Sequence, residues 1–230
     1  LHSNLRRQRQ MCIRDREGCA EGDCGACTVV VARLDNKGHM TWRPVNACIL
    51  FMGMLEGSVV TTVEGISGPD GELHPCQQAI VDFHGSQCGF CTPGFVMSLY
   101  AAWCNRNGLA ASQIDDTLAG NLCRCTGYRP IVDAGLSLAV VDKPAWEIKR
   151  QRAEKTLLKN IQHDEMVEIS DGKKAFTTPQ KQTDFANIYA KDPAATIVSG
   201  ATDIGLWVTK QHRQLSRMLW TGRVDGFDAV

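Results

Sequence analysis

The period of the apolar positions changes at Pro75. Before it, short β-branched runs predict strands; after it, the spacing is helical. Residues 28–34 (TVVVARL) read as a strand, 35–38 (DNKG) as a turn and 40–45 as a second strand, which together predict a hairpin. Asn46 stands where it could cap a short helix from Cys48 through ILFMGML. Residues 58–63 (SVVTTV) predict another strand, and the Gly/Pro-rich stretch 64–72 a connector between two domains.

Beyond Pro75, residues 76–84 predict a short helix. Thr92-Pro93 supplies an N-cap and a first-turn proline for a second helix, with Phe95, Leu99 and Trp103 on one face and an end near Asn107-Gly108. Ser112-x-x-Asp115 has the form of a capping box for a third helix through Leu118, and Arg129-Pro130 opens a fourth up to Val140. Residues 76–140 therefore read as a bundle of four helices. Residues 141–182 are polar and of mixed charge, which predicts a linker, partly helical over 153–161. An αβ pattern then begins: a helix capped by Thr183 through Tyr189, a strand at 194–199, a turn at Gly200–Asp203 and an amphipathic segment 204–210.

Composition narrows the class. The chain has 230 residues, 43% hydrophobic and 22% charged, as expected of a globular protein of one large or several small domains. Twenty-five basic residues balance twenty-five acidic ones, which argues against a nucleic-acid or membrane-surface partner. The longest apolar run, 47–55, is about half of the ~18–20 residues of a membrane span. Residues 1–16 hold five arginines, lack the apolar core of a secretion signal and fit nothing around them.

Eleven cysteines carry the chemistry. Their odd number and the close pairs Cys24/Cys27, Cys88/Cys91 and Cys123/Cys125 favour metal ligation in the cytoplasm over a secreted disulfide framework. Cys19-x4-Cys24-x2-Cys27, with Cys48 twenty residues on, has the plant-type [2Fe–2S] spacing. Gly22 and Gly25 suit a loop that turns its sulfurs and N–H groups inward. Cys88-x2-Cys91 and Cys123-x-Cys125 sit at the ends of helical hairpins, where they can converge. The tight C-x-C pair favours a second [2Fe–2S] site, with zinc as the alternative. Cys76 and Cys104 read as small buried residues and Cys12 as no ligand. The strand–glycine–helix corner at Gly200 is either a phosphate-binding corner or an ordinary βα turn.

The order EGCAEGDCGACTVVV, VNACILFM, GSQCGFCTPGFVMSLYA, NLCRCTGYRPI resembles the iron–sulfur segment of the molybdenum hydroxylases, most of all the small subunit of the bacterial xanthine dehydrogenases. TIVSGATDIGLWVTKQHR is similar to the start of that subunit's FAD-binding domain. The resemblance implies an α+β chain. Residues 17–68 would be a β-grasp, ferredoxin-like 2Fe-2S domain lacking its first hairpin, 74–141 a four-helix 2Fe-2S-binding domain, 142–175 a linker and 176–230 the first part of an α/β FAD-binding domain. Residues 1–16 stay outside it.

By the same resemblance, Cys19, Cys24, Cys27 and Cys48 would hold the cluster nearer the flavin, and Cys88, Cys91, Cys123 and Cys125 the one nearer the molybdenum. Gln87 would contact the molybdopterin of a partner subunit. Val198, Ser199, Gly200, Ala201, Thr202, Asp203 and Ile204 would wrap the FAD pyrophosphate. The implied function is electron transfer from a molybdopterin-binding large subunit, through two 2Fe-2S clusters, to FAD and then NAD during oxidation of xanthine or hypoxanthine. A cytoplasmic dimer of heterodimers is expected. The same role in an aldehyde or N-heterocycle dehydrogenase is one alternative; a zinc-stabilised binding module is the alternative of another class.

Overall fold

The computed structural model describes residues 16–163 and 165–227; the basic segment 1–15, with Cys12, lies outside the described residues. β1 (Thr28–Leu34) is the centre of the first sheet, paired antiparallel with β2 (Met40–Asn46) on one side and β3 (Val59–Thr61) on the other. The predicted hairpin forms. The Asp35 carboxylate accepts from the N–H groups of Lys37 and His39, both at 2.8 Å, which closes the turn.

The predicted helix after Asn46 does not form. Ala47–Ile49 and Met52–Leu55 are separate 3₁₀ turns, with Leu50 and Phe51 extended between them. Asn46 caps neither: its amide donates to the Gly22 carbonyl. The break has a packing cause. Ile49 and Met54 are buried with Phe176, Val198 and Trp220 of the C-terminal unit, and Leu50 and Phe51 pack against the same cluster. A regular helix would turn some of these side chains away from it.

The four expected helices are present as α1 (Pro75–Asp82), α2 (Thr92–Asn105), α3 (Ile114–Leu118) and α4 (Arg129–Ser137). Their caps differ from expectation. Cys91, not Thr92, is the N-cap of α2, and α3 starts from Gln113 with no side-chain cap, so the Ser112–Asp115 box is not made. α2 is buried from Gly94 to Cys104 because the sheet covers one side and the other helices the rest. Asn105 ties its end to β2, accepting from the Trp42 N–H at 3.1 Å and donating to the Trp42 carbonyl at 2.7 Å. Sheet and bundle thus share one core running from Val30 and Trp42 through Phe95, Leu99 and Trp103 to Ile131.

Within the stretch read as a linker lie a long helix, α5 (Ala145–Ile161), and a hairpin of β4 (Val167–Ser170) and β5 (Ala175–Thr178). α5 has a polar pattern because it buries only two residues, Leu158 and the charged Glu147. The Glu147 carboxylate, wholly buried, meets the Arg150 guanidinium and accepts from Tyr100 Oη and Gln151 Nε2. His74, also wholly buried, caps α1 by accepting from the Cys76 N–H at 3.1 Å. Tyr100, Trp103 and Trp146 face its ring edge-on. Burial, helped by Arg150, drives its pKa down to about 3.

α6 (Gln182–Lys191), starting from Lys181 rather than Thr183, then β6 (Thr196–Val198), α7 (Ile204–Thr209) and β7 (Arg217–Trp220) complete the C-terminal unit. Its sheet runs β4-β5-β7-β6, with β7 parallel to both neighbours. Among the described residues, no helix is long and apolar enough to cross a membrane.

The loop of Cys19–Cys27 docks on the bundle through Asn121. This amide, 3% exposed, donates to the Gly25 carbonyl at 3.0 Å and to Thr28 Oγ1 at 3.2 Å. It accepts from Ser98 Oγ at 2.6 Å. Gly25 has a φ of 69°, and a Cβ there would run into the Gly120 carbonyl; a Cβ on Gly94 would run into the Gly25 carbonyl.

Removal of the Asn121 amide leaves the buried Ser98 hydroxyl without its acceptor, while the Gly25 carbonyl and the Thr28 hydroxyl keep their bond to each other. Asn121→Ala is expected to lower stability by about 2 kcal/mol, whereas Gln78→Ala, on the exposed face of α1, costs under about 0.5 kcal/mol. Urea unfolding of the two variants compares them, and equal losses would remove Asn121 as the fastener.

His74 gives a pH dependence. The unfolded side chain takes its proton near pH 6.5 and the folded one near 3, so the stability it contributes is complete above pH 6.5 and drains as pH falls toward 3. In urea unfolding between pH 6 and 4, His74→Asn is expected to remove about 1.4 kcal/mol per pH unit of acid sensitivity relative to wild type. Parallel curves for the two proteins would contradict this.

Candidate metal centres

The eight cysteines singled out by spacing lie at two places, four at each, as pairs of touching thiols; among the described residues no three His, Cys, Asp or Glu side chains are gathered as a site for a single metal ion. In the first, a loop of successive bends carries Cys19, Cys24 and Cys27 beneath the start of β1, and the Ala47–Ile49 turn brings in Cys48. Cys19 Sγ accepts from the N–H groups of Glu21 and Cys24, each at 3.4 Å. Cys27 Sγ accepts from the Cys48 N–H at 3.4 Å. Thiol contacts pair Cys19 with Cys24 and Cys27 with Cys48.

The pairing divides the thiols electrically. Burial works against ionisation of Cys19, but N–H donors from Cys24, Glu21 and Asp23 outweigh it and leave a pKa of about 7. Burial pushes Cys48 up to about 12, helped by the sulfur of Cys27.

The second group straddles two loops, one leading into α2 and one between α3 and α4. Cys88 meets Cys125, both exposed; Cys91 meets Cys123, which is buried. The Phe90 N–H holds the Cys88 thiol below its usual value, whereas the contact with Cys88 raises that of Cys125. Burial and the sulfur of Cys123 push Cys91 up to about 12. Burial raises Cys123, and the Thr126 hydroxyl (3.2 Å) and N–H (3.5 Å) more than offset it. Tyr128 Oη accepts from the Cys123 N–H at 2.9 Å, and its ring stands edge-on to Phe95 at 6.2 Å. No interaction described above joins a thiol of one group to a thiol of the other.

Each group offers four sulfurs, with N–H groups aimed at Cys19, Cys27 and Cys123. This donor set suits a thiolate-bound iron–sulfur cluster, whose anionic sulfurs need such donors. The two groups are linked through the backbone: the Leu122 N–H, one residue before Cys123, donates to the Cys24 carbonyl at 2.9 Å.

Cys76 and Cys104 are buried away from both groups, as expected of packing residues. Gln87 is exposed beside Cys88. At the glycine corner Val198 and Ala201 are buried, Ile204 is half-buried, and Ser199, Gly200, Thr202 and Asp203 face solvent. The Asp203 side chain does not cap α7. Sequence reasoning assigned no role to Asn121, Thr126 and Tyr128, although all three lie in the NLCRCTGY motif. It also missed Thr209 and Lys210, which reach the first loop from a unit far along the chain.

Residues 62–136 match the [2Fe-2S] binding domain family. Aldehyde oxidase 1 of Cavia porcellus is 35% identical over a 229-residue alignment that covers 82% of this chain and 17% of the relative. Xanthine dehydrogenase of Blastobotrys adeninivorans is 56% identical over 119 residues, 51% of this chain and 8% of the relative. An aldehyde oxidoreductase structure from Desulfovibrio gigas aligns with 68% of this chain and 16% of its own, at 33% identity and a TM-score of 0.48. The chain thus spans less than a fifth of the length of these relatives. Residues 62–136 are thus similar to the [2Fe-2S] binding domain, and the chain is similar in sequence to one part of xanthine dehydrogenases and aldehyde oxidases.

Proposed function

We propose that this chain is the electron-relay portion of a molybdenum hydroxylase, carrying electrons from a molybdopterin site to FAD and NAD during oxidation of xanthine or hypoxanthine. The observation that carries the reading is the division of eight cysteines into two four-thiol groups joined by the Leu122–Cys24 hydrogen bond. Cys19, Cys24, Cys27 and Cys48 would hold one 2Fe-2S cluster, and Cys88, Cys91, Cys123 and Cys125 another. When bound, such clusters supply one-electron transfer between two-electron centres.

The chain's own residues do the rest. Backbone N–H groups of Glu21, Cys24 and Cys48 and the Thr126 hydroxyl stabilise charge on sulfur. Asn121 and the Gly25–Gly94 contact fix one group against the other. The exposed face around Cys88, Phe90, Leu122 and Cys125 would meet the molybdopterin-binding large subunit, with Gln87 toward the pterin. Residues 198–204 would approach the FAD pyrophosphate with their exposed turn. The complete protein would be a cytoplasmic dimer of heterodimers. Aldehydes as substrate are the second reading, favoured by the aldehyde oxidase relatives.

Anaerobic purification followed by metal analysis and EPR tests the proposal. About four irons per chain, acid-labile sulfide and two distinguishable reduced signals are expected. Cys24→Ser should alter one signal and Cys123→Ser the other. Zinc without iron, or loss of both signals from either substitution in a folded protein, would overturn it.

A further inference from the structure

The end of α7 reaches across the molecule to the loop of the first cysteine group. Thr209 Oγ1 donates to the Ala20 carbonyl at 3.1 Å, and Lys210 Nζ donates to the Cys19 carbonyl at 2.7 Å. The same ammonium pairs with Glu21 at 3.2 Å. Gly205, one turn earlier, lies against the Ile49 backbone, next to Cys48, where a Cβ would come within 3.0 Å of the Ile49 carbonyl. Between the two gripped carbonyls, Ala20 holds a φ of 53°, a left-handed conformation that a residue with a Cβ adopts only under constraint. One short helix of the C-terminal unit therefore touches both the start of the loop, at Cys19–Glu21, and the turn that carries Cys48.

We propose that Lys210 is a positioning residue that sets the reduction potential of the first centre, with Thr209 holding the loop in register beneath it. The inference rests on the assignment of Cys19, Cys24, Cys27 and Cys48 as cluster ligands. Reduction by one electron adds one negative charge within these four sulfurs. A cation hydrogen-bonded to the carbonyl of one ligand stabilises that charge, and an unpaired Glu21 opposes it. Lys210 does both things at once: it supplies the cation and neutralises Glu21. Its side chain and that of Glu21 are 40% and 43% exposed, so substitution of either leaves the core intact. The chain thereby makes the potential of this centre depend on the docking of a unit that begins more than a hundred residues later in the sequence.

The test is an EPR-monitored titration with dithionite of the full chain carrying its clusters, with the second centre as internal reference. Lys210→Met removes the cation and frees Glu21. It should lower the reduced-to-oxidised ratio of the first centre about tenfold at fixed potential, a shift of about 59 mV for one electron, and leave the second centre unmoved. Lys210→Arg should stay within about threefold of wild type, and Glu21→Gln should shift the first centre the opposite way. An unmoved first centre in Lys210→Met, or an equal shift at both centres, would overturn the inference while the two-cluster reading stands. A wild-type chain with no iron signal would overturn the two-cluster reading and the inference with it.

Discussion

The buried amide of Asn121 is the contact on which the relative placement of the two cysteine groups depends. Its partners are Gly25, Thr28 and Ser98, which lie on the loop, on β1 and on α2. Each is close in sequence to a candidate ligand. Gly25 follows Cys24, Asn121 precedes Cys123 by two residues, and Gly94, which touches the Gly25 carbonyl, follows Cys91 by three. The fastening of loop to bundle is therefore also the spacing between the two sets of sulfurs. A small shift here would move cysteines of both groups, because tightly packed interiors transmit displacement rather than absorb it.

This placement explains the use of glycine on both sides of the contact. The loop must come close enough for the Leu122 N–H to reach the Cys24 carbonyl, and any side chain at position 25 or 94 would hold the two backbones apart. Conformational freedom is the smaller part of the requirement at Gly94, which is helical; close approach is the larger.

Local structure was legible in the sequence wherever a local pattern decided it. The hairpin of β1 and β2, the four helices of the bundle and the burial of Phe95, Leu99 and Trp103 all follow from spacing within a few residues. What could not be read was decided by distant partners. Ile49, Leu50, Phe51 and Met54 break their helix to pack on Phe176 and Trp220. α5 buries one leucine, Leu158, and a carboxylate, Glu147, rather than an apolar stripe, so its polar pattern reads as a linker. Asn46 and Ser112 have the chemistry of caps, but Asn46 spends its amide on Gly22 and the Ser112 box stays unmade. At the candidate site the same division holds. The cysteines announce themselves by spacing, whereas Asn121 and Lys210 look like ordinary surface polar residues until the fold brings Gly25 and Cys19 to them.

The segment between Cys48 and Glu56 ties the first group of thiols to the C-terminal unit. It carries a candidate ligand at one end, buries Ile49 and Met54 in the C-terminal core in its middle, and at the other end places Glu56 against the Arg223 guanidinium and, at 2.9 Å, His163. The Met54 carbonyl also accepts from Arg33 of β1, whose guanidinium lies over the Trp220 ring at 5.2 Å. A candidate ligand is thus fixed by contacts to a sheet that begins at Val167. With Thr209 and Lys210 holding the start of the loop, the first group of thiols is contacted by both units rather than housed in one.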